Sequence, residues 1–267
     1  MDALAVFKSS NVHDKLAALE SSCHAALSLT SRVDAPTTAR DGEIRDFWRM
    51  PPKIGFSKPE GQARLLHDLA NIELQATELA LRSLCEFPDA PRELREELSA
   101  LAIDEGRHLK LCLNGLDDLG FKWGDWPVHM NLWEAVSSED TLLDRLVIVH
   151  RYLEGAGLDA GRGVLNRLTS SDAKVVHSIV DVIMREEIGH VAFGSKWYHQ
   201  ICRDQKIDIE TDFRKRVESV IRRNPKKENM AYDLRRQAGF LDVELAAIEE
   251  LREKHWTLKL RPQEVKV

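Results

Sequence analysis

Cysteine is scarce in this 267-residue chain: Cys23, Cys85, Cys112 and Cys202 are scattered, with no Cys-x-x-Cys spacing. That argues against a zinc ribbon and supports no disulfide framework. Glycine is sparse too, at 14 residues, and alternating β-branched runs are few, so little in the chain favours sheet. No run of 18 apolar residues is present, and with it goes the signature of a membrane span. The opening MDALAVFKSSNVHDK lacks the basic start and apolar core of a signal peptide, so a cytoplasmic protein without membrane partners is expected. Positive charge is not in excess either. Thirty-eight Lys and Arg face 44 Asp and Glu, a net charge of -6, which argues against wholesale affinity for nucleic acid.

What the chain does have is Leu, Ala, Glu and Arg at helical spacing, which predicts an all-α protein. Four long helices are bracketed by their punctuation. The first spans about Pro59 to Phe87, with Ser57 as its cap and Pro88 closing it. The second runs from Arg92 to Leu119 between Pro91 and Gly120, the third from Thr141 to Leu168, and the fourth from Asp172 to Arg203, capped by Ser170 or Ser171. Short turns join helices one and two, and helices three and four, so each pair is an antiparallel hairpin. The stretch from Phe121 to Asp140 is long enough to run the length of a bundle. Two hairpins and one long crossover make the ferritin-like four-helix arrangement. Trp123, Trp126 and Trp133 of the crossover are expected to pack on the bundle. The implied organisation is an N-terminal helix and linker over 1–44, the bundle over 45–203, and a C-terminal helical extension over 204–267.

Two Glu-x-x-His steps stand out, Glu105 with His108 and Glu187 with His190. Residues three apart share a helix face, so each step aims a carboxylate and an imidazole at one point. One such spacing is expected by accident; the repeat around them is not. Glu73 precedes Glu105 by 32 residues and Glu154 precedes Glu187 by 33, and Glu78 and Asp159 each follow their lone Glu by five. Within each hairpin the lone Glu and its Glu-x-x-His partner stand at one height, roughly 20 Å from the turn. The glutamates also lie on apolar stripes. Leu66, Leu69, Ala76 and Ala80 flank Glu73; Leu101, Ala102 and Leu109 flank Glu105; Ile183, Met184 and Val191 flank Glu187. Buried carboxylates are costly unless cations lie between them, and the bundle carries few inward basic residues. Glu73, Glu105, His108, Glu154, Glu187 and His190 are therefore expected to converge on two metal ions roughly 3.5–4 Å apart. Asp104 and Glu186 are placed to steady the ligand imidazoles from behind, and His150, one turn before Glu154, has a supporting role. His67 reads as structural, and Asp125 and His129 as turn residues.

This constellation resembles the ferritin-like di-iron superfamily, and Asp104-Glu105-Gly106-Arg107-His108 matches the (D/E)-E-x-R-H form of its oxygen-activating members. More narrowly, the chain resembles a ferritin-like bacterial family catalogued as a domain of unknown function. The stretches that carry the resemblance include Met50 to Gly55, Ile72 to Ala76, Gly124 to His129 with Leu132-Trp133, Gly157-Leu158-Asp159, Glu187 to Gly194 and Ala238-Gly239-Phe240. Asn71 stands where a histidine is expected, and His150 and Gly155-Ala156 replace a proline and an Ala-Arg pair. The resemblance implies two Fe ions, with Mn or a mixed Fe/Mn pair as variants, and an oxidase or hydroxylase that uses dioxygen or peroxide on a small-molecule substrate. The superfamily also holds a tRNA-hydroxylating enzyme. Arg214 to Lys227, with seven basic residues against one acid, is the stretch that would meet RNA. The alternatives are a ferroxidase or peroxide-handling protein without organic substrate, and a non-enzymatic interaction protein stabilised by its metals. A homo-oligomer fits any of these.

Overall fold

The computed structural model describes residues 2–223 and 229–260, with side chains to residue 255. It is all-helical: among the described residues the extended pairing consists of one isolated parallel bridge, Ile44 to Val128. No described helix is long and apolar enough to cross a membrane. The chain falls into two compact units, Met1–Leu142 with Val164–Ile183, and Leu143–Gly163 with Met184–Val267.

In the first unit a short helix α1 (Ala5–Lys8) leads into α2 (Val12–Leu27), which Asn11 caps through the amides of His13 and Asp14. The long helices α3 (Pro59–Glu86) and α4 (Arg92–Asp118) form an antiparallel hairpin across residues 87–91. Proline at the first position of α3 costs no hydrogen bond, because that amide has no intrahelical partner. Ser57 is not the cap: Lys58 occupies that position and makes no side-chain cap bond. The hairpin is sheathed on its outside by α2, where Gly106 makes room. A Cβ there would come within 2.4 Å of Leu19 Cδ2.

The crossover lies along α3, as its tryptophans predict. Trp126 sits near the Arg64 guanidinium, Trp123 stacks on His67, and Trp133, further on, packs against Arg82 and Phe7. Gln75 pins it. The Gln75 side-chain amide donates to the His129 carbonyl, and its oxygen accepts from the amides of Leu132 and Trp133. Asn71, in the position where a histidine was expected, donates to the same His129 carbonyl. With α2, α4 and the crossover around it, α3 is buried on every side from Glu73 to Glu86.

The third predicted helix is present from Leu142 to Thr169 without a break, but its winding changes along the way. A single turn α5 (Leu142–Arg145) opens into a π-helical stretch over Leu146–Leu153, closed by the Glu154 amide donating to the Val149 carbonyl, before α6 (Glu154–Thr169) resumes. Helix α7 spans Lys174–Asp204. The hydroxyls of Ser170 and Ser171 do not cap it; they bond back to the carbonyls of Asn166 and Leu168 at the end of α6. Within the second unit α6 and α7 run antiparallel. Gly161 lies against Met184, and Gly194 lies against His150 and Arg151.

The C-terminal helices α8 (Ile209–Arg223), α9 (Tyr232–Gln237) and α10 (Asp242–Leu260) complete the second unit. Arg151, fully buried on the π-helical stretch, forms a paired bond to Glu244 at 2.7 and 2.6 Å, with its guanidinium 4.3–5.0 Å from the rings of Phe240, Phe213 and Tyr198. The basic stretch beginning at Arg214 is a salt-bridged face where it is described: Arg214 pairs with Glu250, and Arg216 with Asp212 and Asp144. Its last residues, Lys226 and Lys227, lie outside the described residues.

Candidate metal centre

The interior is not poor in cations, contrary to the sequence reading. Lys15, Arg64, Arg151 and Arg235 are all buried. They are taken by other acids, however. Glu78, five residues beyond Glu73, is fully buried and receives Lys15 at 2.8 Å, Arg40 at 2.5 Å and the Thr38 hydroxyl at 2.6 Å. Asp159, five beyond Glu154, is equally buried and receives Arg235 at 2.8 Å and Arg252 at 3.0 Å. Each unit thus places a buried acid one and a half turns after its lone Glu, held by two cations from a terminal extension. The Asp159 carboxyl is desolvated by burial, yet the Arg235 and Arg252 guanidiniums hold it below the ordinary aspartate range.

In the first unit Glu73, Glu105 and His108 come together. Glu73 is 13 residues before the end of α3 and Glu105 is 13 after the start of α4, so the five-residue turn sets them level. All three are buried, Glu105 and His108 completely. His108 Nδ1 faces both carboxylates, 3.7 Å from Glu73 and 3.6 Å from Glu105. Those separations are longer than hydrogen bonds and close to the roughly 3–3.6 Å between neighbouring donors on one ion at ligand distances near 2 Å. On the other side of the ring, His108 Nε2 lies 3.4 Å from Arg107 Nη2, and Arg107 in turn grips Asp104 at 2.9 and 2.5 Å. Asp104, expected behind the imidazole, is joined to it through Arg107. Burial, reinforced by the nearby Glu73 charge, pushes the Cys112 thiol well above its ordinary pKa.

The second unit repeats part of the pattern. His190 is buried, and its Nδ1 lies 3.3 Å from Glu187, whose side chain keeps 12% of its surface. Glu154, at the first turn after the π-helical stretch, is 2.8 Å from His150 Nδ1. The antiparallel register set by Gly161 and Gly194 brings Glu154 to the level of Glu187 and His190. Glu186 is half-buried on α7. Glu105 and His108 in one unit, and Glu187 and His190 in the other, are donors of a kind that could hold a metal ion.

Three further histidine and acid positions have structural roles. His67 accepts from the Gly124 amide and lies between Trp123 and Trp126. Burial lowers its pKa to about 4, so it is neutral at physiological pH. Asp125 caps its own turn by accepting from the Lys122 amide, and His129 accepts from the Asn131 amide and packs edge-on against Phe47. The four cysteines are free and buried. Sequence reasoning missed the π-helical stretch, for which Gly155 beside the predicted ligand was the available hint.

A Haemophilus influenzae (strain ATCC 51907 / DSM 11121 / KW20 / Rd) protein described as "Uncharacterized protein" is 33% identical over 213 residues, covering 76% of this chain and 73% of that one. No solved structure matches the chain. A family model described as "Protein of unknown function (DUF455)" matches residues 6–246, and the chain belongs to that family.

Proposed function

We propose that the protein is a carboxylate-bridged di-metal protein of the ferritin-like four-helix kind, holding two Fe ions, or Mn or a mixed pair. Glu73, Glu105, His108, Glu154, Glu187 and His190 are the residues that would hold the ions. The observation that carries this reading is the arrangement around His108: one imidazole nitrogen facing two carboxylates where water is excluded. Hard oxygen donors with one imidazole per ion suit Fe or Mn. When bound, such a pair of ions supplies the electrons to reduce dioxygen or peroxide and so to oxidise a bound small molecule.

The chain's own contribution is positional. His150 holds the Glu154 carboxylate, Arg107 ties Asp104 to the His108 ring, and Gly106 and Gly194 allow close approach of Leu19 and of His150 beside the two Glu-x-x-His steps. The π-helical stretch supports the same reading, because such widened turns concentrate at functional sites.

Metal analysis of protein purified anaerobically, beside the Glu105→Ala variant, is the test. About two Fe or Mn per chain are expected in the wild type, with loss of at least one in the variant. A wild-type protein that retains no Fe or Mn would overturn the reading. The oxidase component is checked separately, by steady-state oxygen consumption of the loaded protein with and without cell extract.

A further inference from the structure

A cavity of about 590 Å³ opens in the first unit at the N-terminal end of α3, between the loop over residues 53–57, the first turns of α3 and the segment 164–171. That size falls within the range of small-molecule sites, roughly 300–1,000 Å³. None of the proposed metal ligands lines it. Ile54, Phe56, Leu65 and Val164 supply apolar walls, whereas the charged groups are three cations, Lys53, Arg64 and Arg167, and one acid, Asp68.

The charge balance leaves donors to spare. Asp68 takes Arg64 Nε at 3.0 Å and also the Lys53 ammonium. The Arg64 side chain is 98% buried, and its Nη2 makes no hydrogen bond. A buried guanidinium nitrogen without an acceptor is costly, and its planar fork matches a carboxylate or phosphate. Arg167 reaches the same cavity from the opposite wall, its guanidinium 5.3 Å from the Phe56 ring. The loop is held close by Gly61, where a Cβ would meet the Gly55 carbonyl oxygen at 2.0 Å.

We infer that this cavity binds a small organic anion, its oxyanion head at Arg64 and Arg167 and its apolar body against Ile54, Phe56, Leu65 and Val164. The inference does not depend on the metal centre.

Calorimetric titration of the full chain with octanoate, octyl phosphate, octanol and inorganic phosphate tests it. At least one of the two amphiphilic anions should bind one site per chain at least tenfold more tightly than either octanol or inorganic phosphate, and the stronger of the two identifies the head group. Arg167→Glu, at an exposed position, should weaken that binding tenfold or more with the thermal melt and metal content unchanged. Arg64→Met should weaken it further. Octanol binding as tightly as octanoate, inorganic phosphate matching both anions, affinity unchanged in Arg167→Glu, or no binding of either anion at millimolar concentration would each overturn the inference.

Discussion

His150 Nδ1 lies 2.8 Å from Glu154 Oε1, a contact made across the junction where the π-helical stretch returns to α-helix. The His150 side chain is 1% exposed and that of Glu154 8%, so the bond forms in a site nearly closed to water. Phe193 packs edge-on against the imidazole at 5.0 Å, and the Gly194 backbone lies against His150 Cβ. A proposed ligand is thus oriented by a neighbour that is itself wedged in place by α7.

Gly194→Ala tests that wedge. The added Cβ would sit 2.6 Å from His150 Cβ and 3.1 Å from Arg151 Cγ, so the π-helical stretch must shift. A loss of about 1–3 kcal/mol in urea denaturation is expected, as for other overpacked cores. Metal content per chain should fall along with it.

Glu78→Ala separates stability from metal binding. It leaves Lys15 and Arg40 buried against no carboxylate, which should cost about 3–5 kcal/mol. The folded variant should keep its metals, whereas Glu105→Ala should lose at least one ion. Equal metal loss in both variants would show that the two acids belong to one site.

Stability should depend on acid through Glu244. Burial alone would raise its pKa, but hydrogen bonds from Arg151 and His199 more than offset this and bring it down to about 2 from an ordinary 4.5. Because the folded-state value lies below the unfolded one, the stabilisation is complete above about pH 4.5 and is lost as the pH falls towards 2. The difference in unfolding free energy between wild type and Glu244→Gln should therefore narrow over that window. A constant difference from pH 5 to 2.5 would contradict the assignment.

Gln75→Leu should release the crossover. It strands the buried Trp133 amide and removes partners from the Leu132 amide and the His129 carbonyl, at about 1–3 kcal/mol for each buried group left unsatisfied. Hydrogen exchange should quicken at the amides of Leu132 and Trp133 and stay slow in the middle of α4.

Much of this molecule was legible in the one-dimensional pattern because helices are local. Prolines and glycines bracketed α3 and α4 to within a residue or so, and the level placement of Glu73 and Glu105 follows from a short turn and a constant rise per residue. Two kinds of information were not local. Cap positions depend on which carbonyl a serine hydroxyl reaches, and Ser170 and Ser171 turned back to α6 rather than forward to α7. The fate of buried charge depends on which cations other segments deliver. Lys15 and Arg40 reach Glu78 from the N-terminal arm, and Arg235 and Arg252 reach Asp159 from the C-terminal helices, tens of residues away in sequence. Residue types and spacing determined the helices and nominated the proposed metal ligands. Only the tertiary structure decided which acids are neutralised by protein cations, and that an uncapped α3 N-terminus borders a basic cavity, because desolvation is a property of everything packed around a group.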